Sequence, residues 1–337
     1  MILVTGATGM LGAHLLYELV IKGDKVRALK RSKSNLEVVK RIFGYYNPDF
    51  ETIFSQIEWF EADILDAERI YQSMDGIDKI YHTAAMVSFN PKDKESMIRN
   101  NVKGTANVVN AALENNISKL CYVSSISALG NSEKDNMISE NTFRNPKGRY
   151  SGYSLSKFYS ELEVWRGITE GLKAVVVNPS IILGPGNWNS GSPGIFSTVY
   201  KGLKFYTEGI TGYVDVLDVT KSMMQLMECD ISGERFIVSS ENLSFNDIFS
   251  KIAEKIEVGK PRFKATVGML AIAWRLEYLK SLITSRPPLL TKDIVYSALD
   301  TNLYSSKKLI EAINFTYLPI DKSVNRIAEL FKKDKSL

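Results

Sequence analysis

The chain is poor in the residues that build metal centres and disulfide frameworks. Among 337 positions there are two cysteines, Cys121 and Cys229, and two histidines, His14 and His82. So few sulfur and imidazole ligands argue against a metal site, and Cys121 lies in an apolar run, which suits a reduced, buried pair of thiols. Long apolar runs are lacking too: the longest, around 267–274, is broken by Gly268, well short of the roughly 18 residues a membrane span needs. No membrane partner is expected. The charge excess is small, with 42 Lys+Arg against 38 Asp+Glu and a formal net charge of +4. No dense basic block interleaved with aromatics occurs, so nucleic-acid binding is not expected either. What is present is an ordinary globular composition, 45% hydrophobic and 24% charged, which excludes disorder and fibrous repeats. Ile2-Leu3-Val4 runs straight into a glycine-rich turn, with no room for a charged leader and apolar signal region, which predicts a cytoplasmic protein.

The first half alternates short β-branched runs with segments of helical period, the pattern of a parallel sheet built from βαβ units. Strands are predicted over 2–5, 25–30, 57–62, 79–83, 119–124 and 173–178, and helices over 12–22 and 102–115. In the first helix Leu15, Leu16, Leu19 and Val20 form one stripe; in the second Val102, Ala106, Val109 and Leu113 do so. The predicted fold class is α/β: a doubly wound parallel sheet of Rossmann type with a smaller mixed α/β substrate lobe. Gly, Pro, Asn and Ser cluster over 184–194, so the division expected is a dinucleotide-binding domain over 1–178 and a mainly substrate-binding lobe over 179–337. The runs 213–219 and 235–239 read as strands able to return to the main sheet.

Thr5-Gly6-Ala7-Thr8-Gly9-Met10-Leu11-Gly12 lies between the first strand and the first helix. Gly6 suits a tight turn, Gly9 a phosphate approaching the backbone, and Gly12 close packing of helix on strand, so that the helix N-terminus offers N–H groups to a pyrophosphate. Gly6, Thr8, Gly9, Met10 and Leu11 are therefore candidate cofactor contacts. The second strand ends in Leu29-Lys30-Arg31-Ser32-Lys33, with no acid between Asp24 and Glu37. Arg31 and Ser32 suit a 2′-phosphate, whereas a free ribose diol finds no carboxylate, which predicts NADP(H) over NAD(H). Asp63 and Ile64 after the third strand suit the adenine, and Thr83, Ala84 and Ala85 after the fourth are small where the cofactor passes. His82 and His14 read as packed side chains.

Tyr153 and Lys157 stand four apart in Tyr-Ser-Leu-Ser-Lys and share one helix face. Tyr200 with Lys204 and Tyr304 with Lys308 have the same spacing, but only the first pair follows a strand ending in Ser124-Ser125 and precedes one ending in Asn178-Pro179-Ser180. A phenol with an unperturbed pKa of about 10 is a poor acid-base group near neutrality. A neighbouring ammonium and an oxidised nicotinamide favour its phenolate; a fall of roughly three units requires about 4 kcal/mol.

With Thr5 to Gly12, Asn101-Val102-Lys103-Gly104-Thr105, Ser124-Ser125, Tyr153 with Lys157, and Asn178-Pro179-Ser180 through Gly184-Pro185 in this order, the chain resembles the extended short-chain dehydrogenases/reductases. It is most similar to the dihydroflavonol reductase, cinnamoyl-CoA reductase and aldehyde reductase branch. The resemblance implies Tyr153 as proton donor, Lys157 on the nicotinamide ribose, and Ser125 on the carbonyl oxygen with Ser124 as the alternative. It also implies Asn101 as a backbone brace, Pro179 and Ile182 against the cofactor, and a homodimer. Sugar-nucleotide dehydratases that resemble the chain carry Asp-Glu where it has Ile126-Ser127. Three readings follow: an NADPH-dependent reductase of a small-molecule aldehyde or ketone; a sugar-nucleotide epimerase using Arg275, Arg286 and Lys292 for a diphosphate; and a non-catalytic NADP-binding protein, against which Ser125, Tyr153 and Lys157 argue. Met86, Phe89, Trp188 and Tyr206 suit an apolar substrate cavity and suit a core equally well.

Overall fold

A computed structural model describes residues 1–130, 137–284, 288 and 290–337. Seven strands form the central sheet: β1 (Ile2–Thr5), β2 (Val26–Lys30), β3 (Glu58–Glu61), β4 (Lys79–His82), β5 (Lys119–Val123), β6 (Ala174–Pro179) and, later in the chain, β9 (Glu234–Val238). Their order is β9-β6-β5-β4-β1-β2-β3, with every neighbouring pair parallel. This is a Rossmann-type sheet extended by one strand, and the order reverses beside β1.

Both sheet faces are covered, which is why these strands are apolar at successive positions. Val4, Ala28, Cys121, Val175 and Val177 face one helical layer, α1 (Met10–Ile21), α2 (Glu37–Tyr46) and α6 (Val216–Glu228). Their immediate neighbours Leu3, Leu29, Leu120, Tyr122 and Val176 face the other, α3 (Ala67–Gln72), α4 (Lys94–Glu114) and α5 (Gly152–Thr169). Each such side chain removed from water contributes about 1.5–3 kcal/mol. Helices α4 and α5 pack closely: a methyl group on Gly167 would lie 2.5 Å from Val109 Cγ1. Lys119, at the start of β5, donates from Nζ to the Leu226 and Cys229 carbonyls at 2.6 Å each, satisfying the C-terminus of α6.

The run 213–219 does not return to the main sheet. Strand β8 (Ile210–Asp215) pairs with β7 (Ile181–Leu183) and β10 (Glu241–Ser244) in a separate three-stranded sheet. Asp215 then accepts a hydrogen bond from the Leu217 N–H and starts α6, so Val216 to Val219 are helical. The run 235–239 does join the main sheet, as β9. A second core lies between this small sheet and α7 (Phe245–Lys255) and α9 (Ile320–Lys335), where Tyr213, Ile248, Ile252, Val324 and Phe331 meet. Between those helices in the chain runs α8 (Val267–Thr284). Among the described residues no helix is long and apolar enough to cross a membrane.

Both histidines are interior. His14 Nε2 lies 3.1 Å from the Pro185 carbonyl oxygen, which requires the proton on Nε2 and leaves Nδ1 to accept from the Tyr46 hydroxyl at 2.9 Å. Burial lowers its pKa to about 4. Cys121 and Cys229 are both free thiols, the first buried and the second partly so, and burial raises the Cys121 pKa to about 12.

Candidate active site

The glycine turn leads from β1 into α1. Gly6 has φ +70°, and a Cβ there would lie 2.6 Å from both the Ala84 nitrogen and Thr83 Oγ1. Only glycine allows the turn to pass so close to the end of β4. At Gly12 a Cβ would lie 2.2 Å from the Gly6 carbonyl oxygen. Gly9 is the N-cap of α1, has no side-chain cap, and is followed by no acid in the first turn. This helix end is uncapped by protein side chains and free of repelling charge, so it fits a dinucleotide pyrophosphate, with Thr8, Met10 and Leu11 around it.

At the ends of β2 and β3, Arg31, Ser32, Lys33, Asp63 and Arg69 line a hollow of about 600 Å³. Arg31 and Ser32 are exposed, and among the described residues no salt bridge engages Arg31. Asp63 Oδ1 accepts from the Leu65 N–H, and the Ile64 carbonyl accepts from Asn107 Nδ2. The floor between hollow and turn is tied by Thr5: its Oγ1 accepts from the Ala84 N–H at 3.3 Å and lies 2.6 Å from His82 Nδ1. His82 Nε2 lies 3.1 Å from Thr105 Oγ1, and burial lowers the imidazole pKa to about 3. It is therefore a neutral brace at physiological pH.

Strand β5 ends at Ser124-Ser125, and the two hydroxyls have different surroundings. Ser124 Oγ donates to Glu161 Oε2 at 2.6 Å in the interior. Ser125 Oγ accepts from the Ser127 N–H and neighbours the Tyr153 hydroxyl. Tyr153 lies in the first turn of α5, whose N-cap Ser151 accepts from the Ser154 N–H. Burial raises the Tyr153 pKa, and the neighbouring Ser125 hydroxyl opposes that rise. The phenol is thus protonated at neutral pH. Lys157, one turn on, donates from Nζ to the Val123 carbonyl at 2.9 Å. Burial lowers its pKa to about 8, with Glu161 resisting the fall.

The remaining sequence candidates divide. Phe89 stands beside Tyr153, ring centres 5.8 Å apart. Met86 is pinned by Asn101, whose Oδ1 accepts from the Met86 N–H at 2.7 Å and whose Nδ2 donates to its carbonyl at 2.9 Å. Pro179 ends β6 and Ile182 lies on β7, half-buried. Ala85 is half-buried after β4. Trp188 is not on an open wall: it is 4% exposed, packs edge-on against Phe331 at 5.1 Å, and donates to Asp334 at 2.7 Å. Tyr206 is half-buried in a two-residue strand paired with Phe263–Lys264. Arg275 is turned to its own helix, donating to the Ala271 carbonyl at 2.6 Å, and Lys292 lies over Tyr296. Arg286 lies outside the described residues.

Glu161 is the feature sequence reasoning missed. It continues the spacing Tyr153, Lys157, Glu161, each four residues on. A charge four residues beyond Lys157 on the same helix face was the available signal.

Comparison with known proteins places this geometry. A Synechocystis sp. (strain ATCC 27184 / PCC 6803 / Kazusa) protein carrying a provisional dihydroflavonol 4-reductase name is 27% identical over 331 residues, 95% of this chain and 91% of that protein. Cinnamoyl-CoA reductase 1 of Petunia hybrida is 27% identical over 281 residues, 77% of this chain and 82% of that one. The crystal structure of gox2253 superposes with a TM-score of 0.82 at 26% identity, covering 99% and 98% of the two chains. The NAD dependent epimerase/dehydratase family profile matches residues 2–230. With its glycine turn, parallel sheet and relatives in agreement, the chain belongs to the NAD dependent epimerase/dehydratase family, as an enzyme of the NAD(P)-dependent short-chain dehydrogenase/reductase kind.

Proposed function

We propose that the protein is an NADPH-dependent reductase of an aldehyde or ketone on a small organic molecule, working through Ser125, Tyr153 and Lys157. The observation that carries this reading is the Tyr153 phenol kept protonated by burial, with Ser125 beside it and Lys157 one turn on along α5. A protonated phenol supplies a proton to a carbonyl oxygen as that oxygen gains charge. The reductase names of the relatives support the same class.

When bound, the nicotinamide supplies hydride to the carbonyl carbon. The start of α1 holds the pyrophosphate, and Arg31 with Ser32 holds the 2′-phosphate. Ser125 donates to the substrate oxygen and Tyr153 transfers its proton there. Lys157 binds the nicotinamide ribose and, while charged, steadies the phenolate left behind. Phe89 closes one side of the acceptor. The outward face of α5 exposes Tyr159 and Leu162, which suits a homodimer formed through α4 and α5. The test is NADPH and NADH oxidation measured against panels of aldehydes, ketones and sugar nucleotides. Turnover of carbonyl compounds with NADPH is expected. Interconversion of sugar nucleotides without net oxidation of added cofactor would replace the reading with that of an epimerase.

A further inference from the structure

Glu161 is buried, only 2% exposed, yet carries a carboxylate. Such a group is costly unless every lone pair is engaged. Oε2 accepts from Ser124 Oγ at 2.6 Å and Asn178 Nδ2 at 2.9 Å. Oε1 accepts from Trp165 Nε1 at 3.1 Å and the Arg235 guanidinium at 3.2 Å. The four donors come from the ends of β5 and β6, from β9 and from α5 itself. One carboxylate therefore ties three adjacent strands, at the ends of β5 and β6 and near the start of β9, to the helix that carries Tyr153.

This tie reaches the reacting hydroxyl through one side chain. Asn178 Nδ2 gives one hydrogen to Glu161 and the other to the Ser125 carbonyl at 3.0 Å. Reversing that amide would set its oxygen against both a carboxylate and a carbonyl, so Glu161 fixes the orientation of Asn178, and Asn178 the backbone of Ser125. The carboxylate also sits one helical turn beyond Lys157. The ammonium otherwise faces the uncharged His82 on β4, the Tyr122 ring on β5 at 5.5 Å, Tyr153 on its own helix, and the Val123 carbonyl. Among these groups Glu161 is the one carboxyl group.

We propose that Glu161 is a positioning residue of the active site: through Ser124 and Asn178 it presents Ser125 to the substrate oxygen, and its charge holds Lys157 as ammonium. The assignment rests on the reductase reading given above. Burial draws the lysine pKa down to about 8 even with Glu161 opposing the fall, so loss of the carboxylate carries it lower.

The test is the titration of Lys157, followed by 13Cε-lysine NMR on the full chain, with the resonance assigned as the one that Lys157→Met removes. In Glu161→Gln the lysine midpoint falls by at least one pH unit. In Arg235→Gln, which removes a cation from the far oxygen, it rises; that variant decides the matter if Glu161→Gln does not fold. Ser124→Ala, which removes one hydroxyl and no charge, leaves the midpoint in place. It lowers kcat at least fivefold for NADPH reduction of 4-nitrobenzaldehyde, with KM for NADPH within twofold. A lysine midpoint unmoved in the charge variants, or an unchanged kcat in Ser124→Ala, overturns the proposal. If the unmodified protein reduces no carbonyl compound, the reductase reading fails by itself, while the lysine titration still tests Glu161.

Discussion

Arg326 on α9, partly exposed, pairs with the fully buried Asp215 at the end of β8, one guanidinium nitrogen lying 2.8 Å from each carboxylate oxygen. Asp215 is fully buried and also accepts from the Leu217 N–H and from the Ser323 hydroxyl. Removing one partner leaves the other charged and desolvated, at a cost of about 3–5 kcal/mol. Arg326→Ala is therefore expected to lower the unfolding free energy by that amount in urea titrations. A loss below about 1 kcal/mol would show that the pair is solvated in the folded protein.

Tyr153→Phe removes the proposed proton donor and leaves the ring. Turnover should fall by at least a hundredfold, with NADPH affinity, read by fluorescence titration, within about twofold; general acid catalysis of this kind contributes 10²–10⁴-fold. Lys157→Ala should impair both quantities. Retention of a tenth of the rate in the phenylalanine variant would remove Tyr153 from the mechanism.

Cofactor preference turns on Arg31, which stands exposed at the rim of its hollow. A forked contact to a 2′-phosphate is worth about 1.5–3 kcal/mol, or roughly ten- to hundredfold in affinity. Arg31→Ala should weaken NADPH by that factor and NADH hardly at all, and the gap should narrow as salt screens the contact. Equal dissociation constants for the two cofactors in the unmodified protein would contradict the assignment.

Acid stability follows from the buried imidazoles. His14 and His82 have folded pKa values lowered by burial to about 4 and about 3, so below about 6.5 the unfolded chain takes up protons that the folded one refuses. Their linkage destabilises progressively as pH falls from 6.5 towards 4. Asp218 acts oppositely: burial raises its carboxyl to about 6, so between 6 and its unfolded value the folded chain is the better proton binder. Asp218→Asn should therefore steepen the loss of stability between pH 6 and 5 by up to about 1.4 kcal/mol per unit. Urea midpoints across that range provide the measurement, and parallel curves for variant and parent would refute it.

The sheet and the glycine turn were legible because their signals are local. Successive apolar residues such as Leu3 and Val4, and glycines spaced from the end of a strand into the first turn of a helix, need no distant partner. The pair Tyr153 and Lys157 was legible by spacing together with Ser124-Ser125 upstream. Three features were not, two of them decided by residues remote in the chain. The run at 213–219 has β-branched residues of strand character, but Asp215 caps a helix in its middle, and short apolar runs suit either structure. Trp188 reads equally as a cavity or a core residue until Asp334 and Phe331 beside it decide for the core. Glu161 reads as a solvated helix charge, and only the ends of β5 and β6 and the start of β9 supply the donors that hold it inside.

The placement of β9 means that no single cut in the chain releases the seven-stranded sheet intact. That strand follows β7 and β8 in sequence yet pairs along β6, register Val175 with Glu234 through Pro179 with Val238. A fragment ending near residue 178 would expose the β6 backbone as an unpaired edge and uncover part of the surface beneath α6. Bare edges of this kind recruit other chains, so such a truncation yields aggregates instead of an isolated nucleotide-binding domain. Nascent chains share that vulnerability until residues 234–238 leave the ribosome, which makes the last sheet strand a late step in synthesis and an early requirement for solubility.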